Sequence, residues 1–238
     1  MNLDEARVYK YLKTNISENV VFEPDGKVPP DFLVDSVFAV EVRRLNQHFF
    51  KEGMSEGLEK LSFPIFDVFN DVLKSFESIY TGNTYSVSID FERPLSTSMR
   101  QAKKDMETAL RNFLESGMSE FPYLLSVNPK IEFTIDASKP IRGRVFRPAG
   151  GMDGNAGGWV LANYMENLRY CIEEKSIKVN AYFSKYREWW LYLVDHMGWG
   201  LDTRETKDLI SAINDTGGFE RVCIISINGD SLIASISK

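Results

Sequence analysis

PDFLVDSVFAVEVRR, residues 30–44, predicts one apolar β-hairpin with its turn at Asp35-Ser36-Val37. Side chains alternate along a strand, and cross-strand partners share a face. With this turn, one face carries only apolar side chains: Phe32, Val34, Phe38, Val40 and Val42. The opposite face carries Asp31, Leu33, Ala39, Glu41 and Arg43. A register shifted by one residue would place carboxylates in the core, so the apolar pattern selects this pairing.

Asp31 and Glu41 face each other in this register, and the cation Arg43 lies two residues further along. Two carboxylates held that close repel unless a metal ion or another cation lies between them. The simpler alternative is an exposed sheet face with a cross-strand ion pair, which contributes little to stability. Because the hairpin is so apolar, we expect a buried site and not a free surface ribbon.

The composition is that of a globular protein, since 43% of the 238 residues are hydrophobic and 26% are charged. A net charge of −6 excludes a surface that is basic throughout, so nucleic-acid contacts must come from a local patch. The N-terminal MNLDEARVYKYLK lacks the apolar core of a signal peptide, and no apolar run approaches the roughly 18 residues of a membrane span. We therefore expect a cytoplasmic protein without a membrane partner.

Helical and strand periodicities predict a mixed order of elements. The predicted helices are 3–16, 55–80 with a break at Pro64, 96–116, 159–183 and 203–214. The predicted strands are 20–22, the hairpin above, 85–91, 131–135 paired with 141–147, the buried run 189–194 and a hairpin over 222–236. A flexible glycine-rich loop is expected at 150–158. This order predicts an α/β or α+β protein with a mixed sheet.

Lys175 lies at the centre of the apolar stripe of the predicted helix 159–183, not on its polar face. Such a lysine either reaches a buried partner, or packs its stem on the core and extends its ammonium group to water. Glu5 shares the apolar stripe of the first predicted helix in a similar way. Its alternative role is a favourable interaction with the helix dipole in the first turn.

The densest basic cluster of the sequence consists of Arg142, Arg144 and Arg147, with Lys139 close by. If this segment is a strand, Arg142 and Arg144 share a face and could follow a phosphate backbone. The equally simple alternative is a solvated strand edge that its charges protect against aggregation.

The hairpin also carries a short motif. A helix, then strands bearing Pro-Asp and Glu-x-Lys, then a helix and a buried strand, is the pattern of the PD-(D/E)XK nuclease superfamily. This chain resembles a divergent member, with Pro30-Asp31 and Glu41-Val42-Arg43 in place of the motif. The resemblance covers 1–50 and 159–195 and implies a restriction-endonuclease-like core of the order αβββαβ. It further implies a single domain, 1–238, whose core over 1–50 and 159–238 is interrupted by an inserted helix–strand–helix–hairpin section at about 51–158.

The resemblance implies roles for the residues of the motif. Asp31 and Glu41 would coordinate Mg²⁺ or Mn²⁺, with the Val42 carbonyl and Glu5 as further ligands.

Two cations replace the lysine of the family pattern. Arg43 stands in the position of that lysine; because it is always protonated, it suits contact with the scissile phosphate better than proton transfer. Lys175 resembles a catalytic lysine relocated to the following helix, where it would position or activate water.

The function that the resemblance implies is a metal-dependent endonuclease, a hydrolase of DNA phosphodiester bonds. It would contact DNA through the local basic patch, and it leaves a homodimer open. A rival is a catalytically degenerate protein of the same fold that serves as a nucleic-acid or protein binding module. Arg43 in the lysine position favours the rival, and the centred Lys175 favours the enzyme. A third alternative is an unrelated α/β protein whose carboxylates form only surface ion pairs.

Overall fold

The chain forms two compact units in a computed structural model that describes residues 1–51 and 54–238. Unit 1 comprises Met1–His48 and Gly158–Lys238, and unit 2 comprises Phe49–Gly157. The bounds of unit 2 lie within two residues of the section expected as an insertion, 51–158. Unit 2 has its own hydrophobic core, and the single domain 1–238 expected from the sequence stays a prediction.

The helices and strands follow one another in three segments of the chain. The first segment forms α1 (Leu3–Asn15), β1 (Val20–Phe22), β2 (Phe32–Val34) and β3 (Phe38–Leu45). The middle segment forms β4 (His48–Lys51), β5 (Met54–Gly57), α2 (Glu59–Ser75), a 3₁₀ turn (Glu77–Ile79), β6 (Thr84–Phe91), α3 (Met99–Ser116), β7 (Tyr123–Asn128), β8 (Ile131–Ser138) and β9 (Phe146–Asp153). The last segment forms α4 (Val160–Val179), a 3₁₀ helix (Asn180–Lys185), β10 (Glu188–Asp195), α5 (Thr203–Ala212), β11 (Arg221–Ile225) and β12 (Leu232–Ser237).

Unit 1 is built on a six-stranded mixed sheet with the order β1-β2-β3-β10-β11-β12. β10 runs parallel to both of its neighbours, β3 and β11, and the remaining pairs are antiparallel. This mixture of helices with parallel and antiparallel strands confirms the predicted α+β class. The order α1-β1-β2-β3 followed by α4-β10 is also the αβββαβ order that the resemblance implies.

β10 is buried on both faces, as its continuous apolar run predicted. Trp189 and Leu191 lie in the core that α4 covers. Trp190 and Tyr192 lie in the core that α1 covers. The central strand therefore separates two hydrophobic layers, and each layer is closed by one of the two helices.

The hairpin has the register that its hydrophobic pattern predicted. Phe32 pairs with Val40, and Val34 pairs with Phe38. The turn between them passes through Asp35 and Ser36, both in the left-handed region with φ of 52° and 59°. The apolar face of the hairpin joins the core beneath α1. Its polar face is also covered, since the opposite core beneath α4 reaches this hairpin, and the alternative of an exposed sheet face is wrong.

Unit 2 contains a four-stranded sheet with the order β7-β8-β6-β9, and α2 and α3 pack in its core. The expected pairing of 131–135 with 141–147 is wrong, because β8 pairs with β6 and β7. Ile141 and Arg144 form only an isolated bridge around Gly143, whose φ of 78° turns the chain. The chain then continues as β9, parallel to β6, and this strand includes 150–153 of the expected flexible loop.

The predicted helix 55–80 is shorter than expected. Its first residues belong to β5, and α2 begins at Glu59 and continues through Pro64 without a break. Pro64 lies close to the N-terminal end of α2, where one intrahelical hydrogen bond is lost and the neighbouring turns are otherwise intact.

Asp4 ties α1 to the sheet of unit 1. Its carboxylate accepts hydrogen bonds from Arg7 Nη1 at 2.6 Å and from Arg44 Nε at 3.2 Å, at the end of β3. His196 Nε2, directly after β10, lies 2.8 Å from Asp4 Oδ1. Burial by itself raises the pKa of Asp4, but the hydrogen bond and charge of His196, together with the two arginines, outweigh burial and lower the pKa below its ordinary value.

We predict that Asp4→Asn lowers the free energy of unfolding by about 2–4 kcal/mol at pH 7, because it removes a buried carboxylate that Arg7, Arg44 and His196 share. A group with a lowered folded-state pKa stabilises the fold above its unfolded value of about 3.9 and loses that contribution as the pH falls through the folded pKa. Urea unfolding of both proteins should therefore show a gap at pH 5–7 that closes towards pH 3. A gap that is as large at pH 3 as at pH 7 would contradict this role for the ionised carboxylate.

Candidate functional site

The candidate site lies where the start of β2, the middle of β3 and the C-terminal half of α4 meet. Glu41 is on the same face of β3 as Ala39, and both face α4. Leu168, Cys171 and Val179 pack α4 onto this face of the sheet. Since these positions repeat every three or four residues, the same row of α4 directs Lys175 at the sheet as well.

The structure brings Asp31, Glu41 and Lys175 together. Lys175 Nζ donates a hydrogen bond to Glu41 Oε2 at 2.6 Å and lies 3.9 Å from Asp31 Oδ2. The side chain of Glu41 is 0% exposed, and that of Lys175 is 10% exposed. The alternative in which Lys175 extends its ammonium group to water is therefore wrong, because its head is held in the core by a carboxylate.

Asp31 is fixed by the backbone of the neighbouring strand. The Val42 N–H donates a hydrogen bond of 2.7 Å to Asp31 Oδ2. This bond takes the place of the next backbone bond of the hairpin, because β2 begins one residue later, at Phe32. In an extended strand the N–H and C=O of one residue point to the same edge, so the Val42 carbonyl faces the edge on which Asp31 lies.

Lys178, one turn beyond Lys175 on α4, approaches the same carboxylate. Its Nζ lies 3.4 Å from Glu41 Oε2. Burial by itself would lower the pKa of Lys178, but the charges of Glu41 and Asp31 outweigh burial and raise that pKa above its ordinary value. Sequence reasoning missed Lys178, although its spacing of three residues from Lys175 places both on one face of the helix.

Both lysines contact Oε2 of Glu41, which leaves the other oxygen without a partner. Within the described residues, Glu41 Oε1 is buried and accepts no hydrogen bond. An unpaired oxygen of a buried carboxylate is unfavourable, and native structures nearly always satisfy such an atom with a donor, a water molecule or a cation.

The residues present fit the divalent metal that the resemblance implies. The unpartnered Glu41 Oε1, the Asp31 carboxylate and the Val42 carbonyl are hard oxygen donors, which Mg²⁺ and Mn²⁺ prefer. In the described part of the chain, no three His, Cys, Asp or Glu side chains form a metal-binding group. Mg²⁺ is nevertheless commonly held by one or two carboxylates, with water and substrate phosphates completing its coordination.

Arg43 lies beside the site, but its charge is matched elsewhere. Its Nη2 forms an ion pair of 2.5 Å with Glu174 Oε2 on α4. Its guanidinium group also lies over the ring of Tyr170, 5.4 Å from the centroid. The structure thus directs Arg43 towards α4, and the expected contact between Arg43 and a scissile phosphate has no support from this geometry.

Glu5 is not part of the cluster around Lys175. Its two carboxylate oxygens accept hydrogen bonds from the backbone N–H and the side chain of Asn2, at 2.7 and 2.6 Å. These bonds close a capping box at the start of α1. The expected metal ligand is therefore a helix-capping residue, and the buried acid of the first turn is Asp4.

The basic cluster also differs from its prediction. Arg142 and Arg144 lie in the turn around Gly143, so they do not share the face of a strand. Arg147 lies in β9 and donates a hydrogen bond from Nε to Ser86 Oγ at 2.8 Å. All three arginines are exposed and belong to unit 2, whereas Asp31, Glu41 and Lys175 belong to unit 1.

Comparison of the chain with protein-family models, with curated proteins and with solved structures finds no match. The class of the protein therefore has to be argued from its own residues and their geometry. Among residues 1–51 and 54–238, no helix combines the length and the apolar character that crossing a bilayer requires.

We predict that Lys175→Met lowers the free energy of unfolding by about 2–4 kcal/mol, because it leaves the buried charge of Glu41 with only the partial compensation of Lys178. The double variant Glu41→Gln/Lys175→Met should recover most of that loss, since it removes both charges. Urea unfolding of the two single variants and the double variant gives the coupling free energy. Additive effects would show that the two groups are not energetically paired.

Proposed function

We propose that unit 1 is a metal-dependent nuclease of the PD-(D/E)XK type that acts on DNA phosphodiester bonds. The observation that carries the proposal is the convergence of Asp31, Glu41 and Lys175, with Glu41 fully buried and its Oε1 unpartnered. A buried acid with one oxygen left over, next to a second acid and a buried lysine, is costly to maintain for stability alone.

The fold supports the proposal. The two acids lie on the strands of one hairpin, and the lysine comes from the helix that follows it in unit 1, in the element order of the superfamily. A hydrophobic core on the far side of the hairpin and the core beneath α4 hold the acids in place. Rigid elements position functional groups better than loops do.

The residues of the chain would divide the work of hydrolysis as follows. Asp31, Glu41 and the Val42 carbonyl would hold Mg²⁺ or Mn²⁺, and the Val42 N–H fixes the orientation of the Asp31 carboxylate. Such an ion supplies charge stabilisation on the phosphate and acidifies a water molecule for attack. Lys175 is held close to both acids, where its ammonium group would orient that water and stabilise the developing negative charge.

A second candidate function rests on a different aspect of the same geometry. The ammonium group of Lys175 is within 4 Å of both carboxylates, so it lies where a cation between them would lie. If this ammonium group replaces the metal permanently, the protein keeps the fold and loses hydrolysis. Arg43 in the lysine position favours this catalytically degenerate binding module. A measurement of metal binding distinguishes it from the nuclease, because only the nuclease needs the ion.

We predict that the purified protein cuts supercoiled plasmid with Mg²⁺ or Mn²⁺ and that Asp31→Asn and Glu41→Gln reduce cutting to background. Each substitution keeps the shape of the side chain and removes the charge that binds the ion. The matched control is Asp35→Asn, because Asp35 lies in the turn of the same hairpin and bonds Ser17 instead of the site. A single-stranded RNA substrate run in parallel tests the choice of DNA. Cutting that survives both site substitutions would contradict the proposal.

We predict that Mn²⁺ raises the melting temperature of the wild type and that Glu41→Gln removes this shift, since a ligand at 100 times its Kd stabilises by about 2.7 kcal/mol. Lys175→Met should still bind Mn²⁺ and should no longer cut DNA. Calorimetric titration of all three proteins measures the affinities directly. A wild type that binds no metal, together with a Lys175→Met variant that gains binding, would select the degenerate module.

A further inference from the structure

We propose that Lys178 binds a phosphate oxygen of the nucleic-acid backbone at this site, the contact that the sequence suggested for Arg43. This inference rests on the proposed nuclease function and adds a substrate-binding residue to it. Three features of the structure carry the inference: the engagement of Arg43, the way the two lysines share Glu41, and the exposure of Lys178.

Arg43 does not offer a free charge to a phosphate. It forms an ion pair with Glu174 at 2.5 Å, its guanidinium group lies over the Tyr170 ring, and its side chain is only 18% exposed. To contact a phosphate it would have to break an ion pair and leave an aromatic face. A phosphate approaching the two acids therefore needs another cation.

Lys178 contributes little as a structural partner of Glu41. The buried carboxylate already has a short bond to Lys175 at 2.6 Å, and the 3.4 Å contact with Lys178 falls on the same oxygen. A purely structural arrangement would place the second donor on Oε1, which has no partner among the described residues. The side chain of Lys178 is 53% exposed, and ion pairs of that exposure are weak.

The position of Lys178 suits a ligand that comes from solvent. Its ammonium group reaches the edge of the site, while Lys175 closes the interior side with a side chain that is 10% exposed. A lysine is also mobile enough to turn from Glu41 to an arriving anion.

The charge balance of the cluster favours this exchange. Asp31 and Glu41 carry two negative charges, and Lys175 and Lys178 carry two positive ones, so the cluster is neutral in the absence of a metal ion. With a divalent cation on the carboxylates the cluster has an excess of positive charge. A phosphodiester anion neutralises part of that excess, and the half-exposed ammonium group is the one that can reach it.

The test is the salt dependence of DNA binding. A fluorescein-labelled duplex would be titrated by anisotropy in Ca²⁺ at 50–300 mM KCl, with wild type, Lys178→Gln, Lys178→Arg and the control Lys207→Gln. Lys207 is an exposed lysine of α5 and matches the change in net charge. Loss of one phosphate contact should weaken binding about eightfold at 0.1 M salt and make the slope of log K against log salt less steep by about 0.9.

Kinetics with Mg²⁺ supply the second readout. Lys178→Gln should raise KM with little change in kcat, since a contact made in both ground and transition states affects binding alone. Lys178→Arg should restore both the salt slope and KM, and Lys207→Gln should resemble the wild type. Urea midpoints of the variants show whether each protein is folded.

The outcomes separate the two proposals. A wild type that cuts plasmid, with a Lys178→Gln variant whose salt slope and KM are unchanged, would overturn the role of Lys178 and leave the nuclease standing. A wild type that neither cuts DNA nor binds Mn²⁺ would overturn both. A Lys178→Gln variant with lower kcat and unchanged DNA affinity would also contradict the phosphate contact, because that result assigns Lys178 to the chemical step.

Discussion

The buried negative charge of Glu41 is the constraint on which the rest of unit 1 depends. The carboxylate lies in β3, directly beside the central strand, with no exposure to water. An isolated charge in that setting would be strongly unfavourable, so a cation has to arrive from the layer above. α4 supplies it through Lys175, and the helix is thereby held to the sheet by a polar contact in the middle of an apolar interface. The Lys175–Glu41 pair therefore both fixes how α4 packs on the sheet and forms part of the candidate site.

The sequence predicted those parts of the fold whose pattern is local. Alternation with a period of two was sufficient for the register of the hairpin, because one slipped residue would bury acids against α1. The helical period was sufficient to place Lys175 towards the sheet. β10 was recognised because a strand covered on both faces is apolar at every position. The first two patterns together place Glu41 and Lys175 on facing surfaces of β3 and α4.

Other features depend on partners that are distant in the chain, and the sequence could not predict them. The sequence near Arg43 does not predict its ion pair with Glu174, because Glu174 lies on a helix more than a hundred residues later. Glu5 and Asp4 are adjacent acids, and only the position of Asn2 as the cap decides which one faces inwards. In unit 2, β9 pairs with β6 and not with β8, and this pairing depends on the order of all four strands in the sheet. The turn at Gly143 removes the local pairing that the spacing suggested.

The side chain of Asn163 links the two places where the chain leaves unit 1 and returns to it. Its oxygen accepts a hydrogen bond of 2.9 Å from Gln47, at the end of the first segment of unit 1, and its amide group lies against Gly158, where the second segment begins. The end of the first segment of unit 1 and the start of its second segment are therefore close together in space. Domains whose ends lie close together accept insertion or excision at little cost in loop entropy. A short linker between these two points could therefore replace unit 2 and leave the six-stranded sheet of unit 1 continuous.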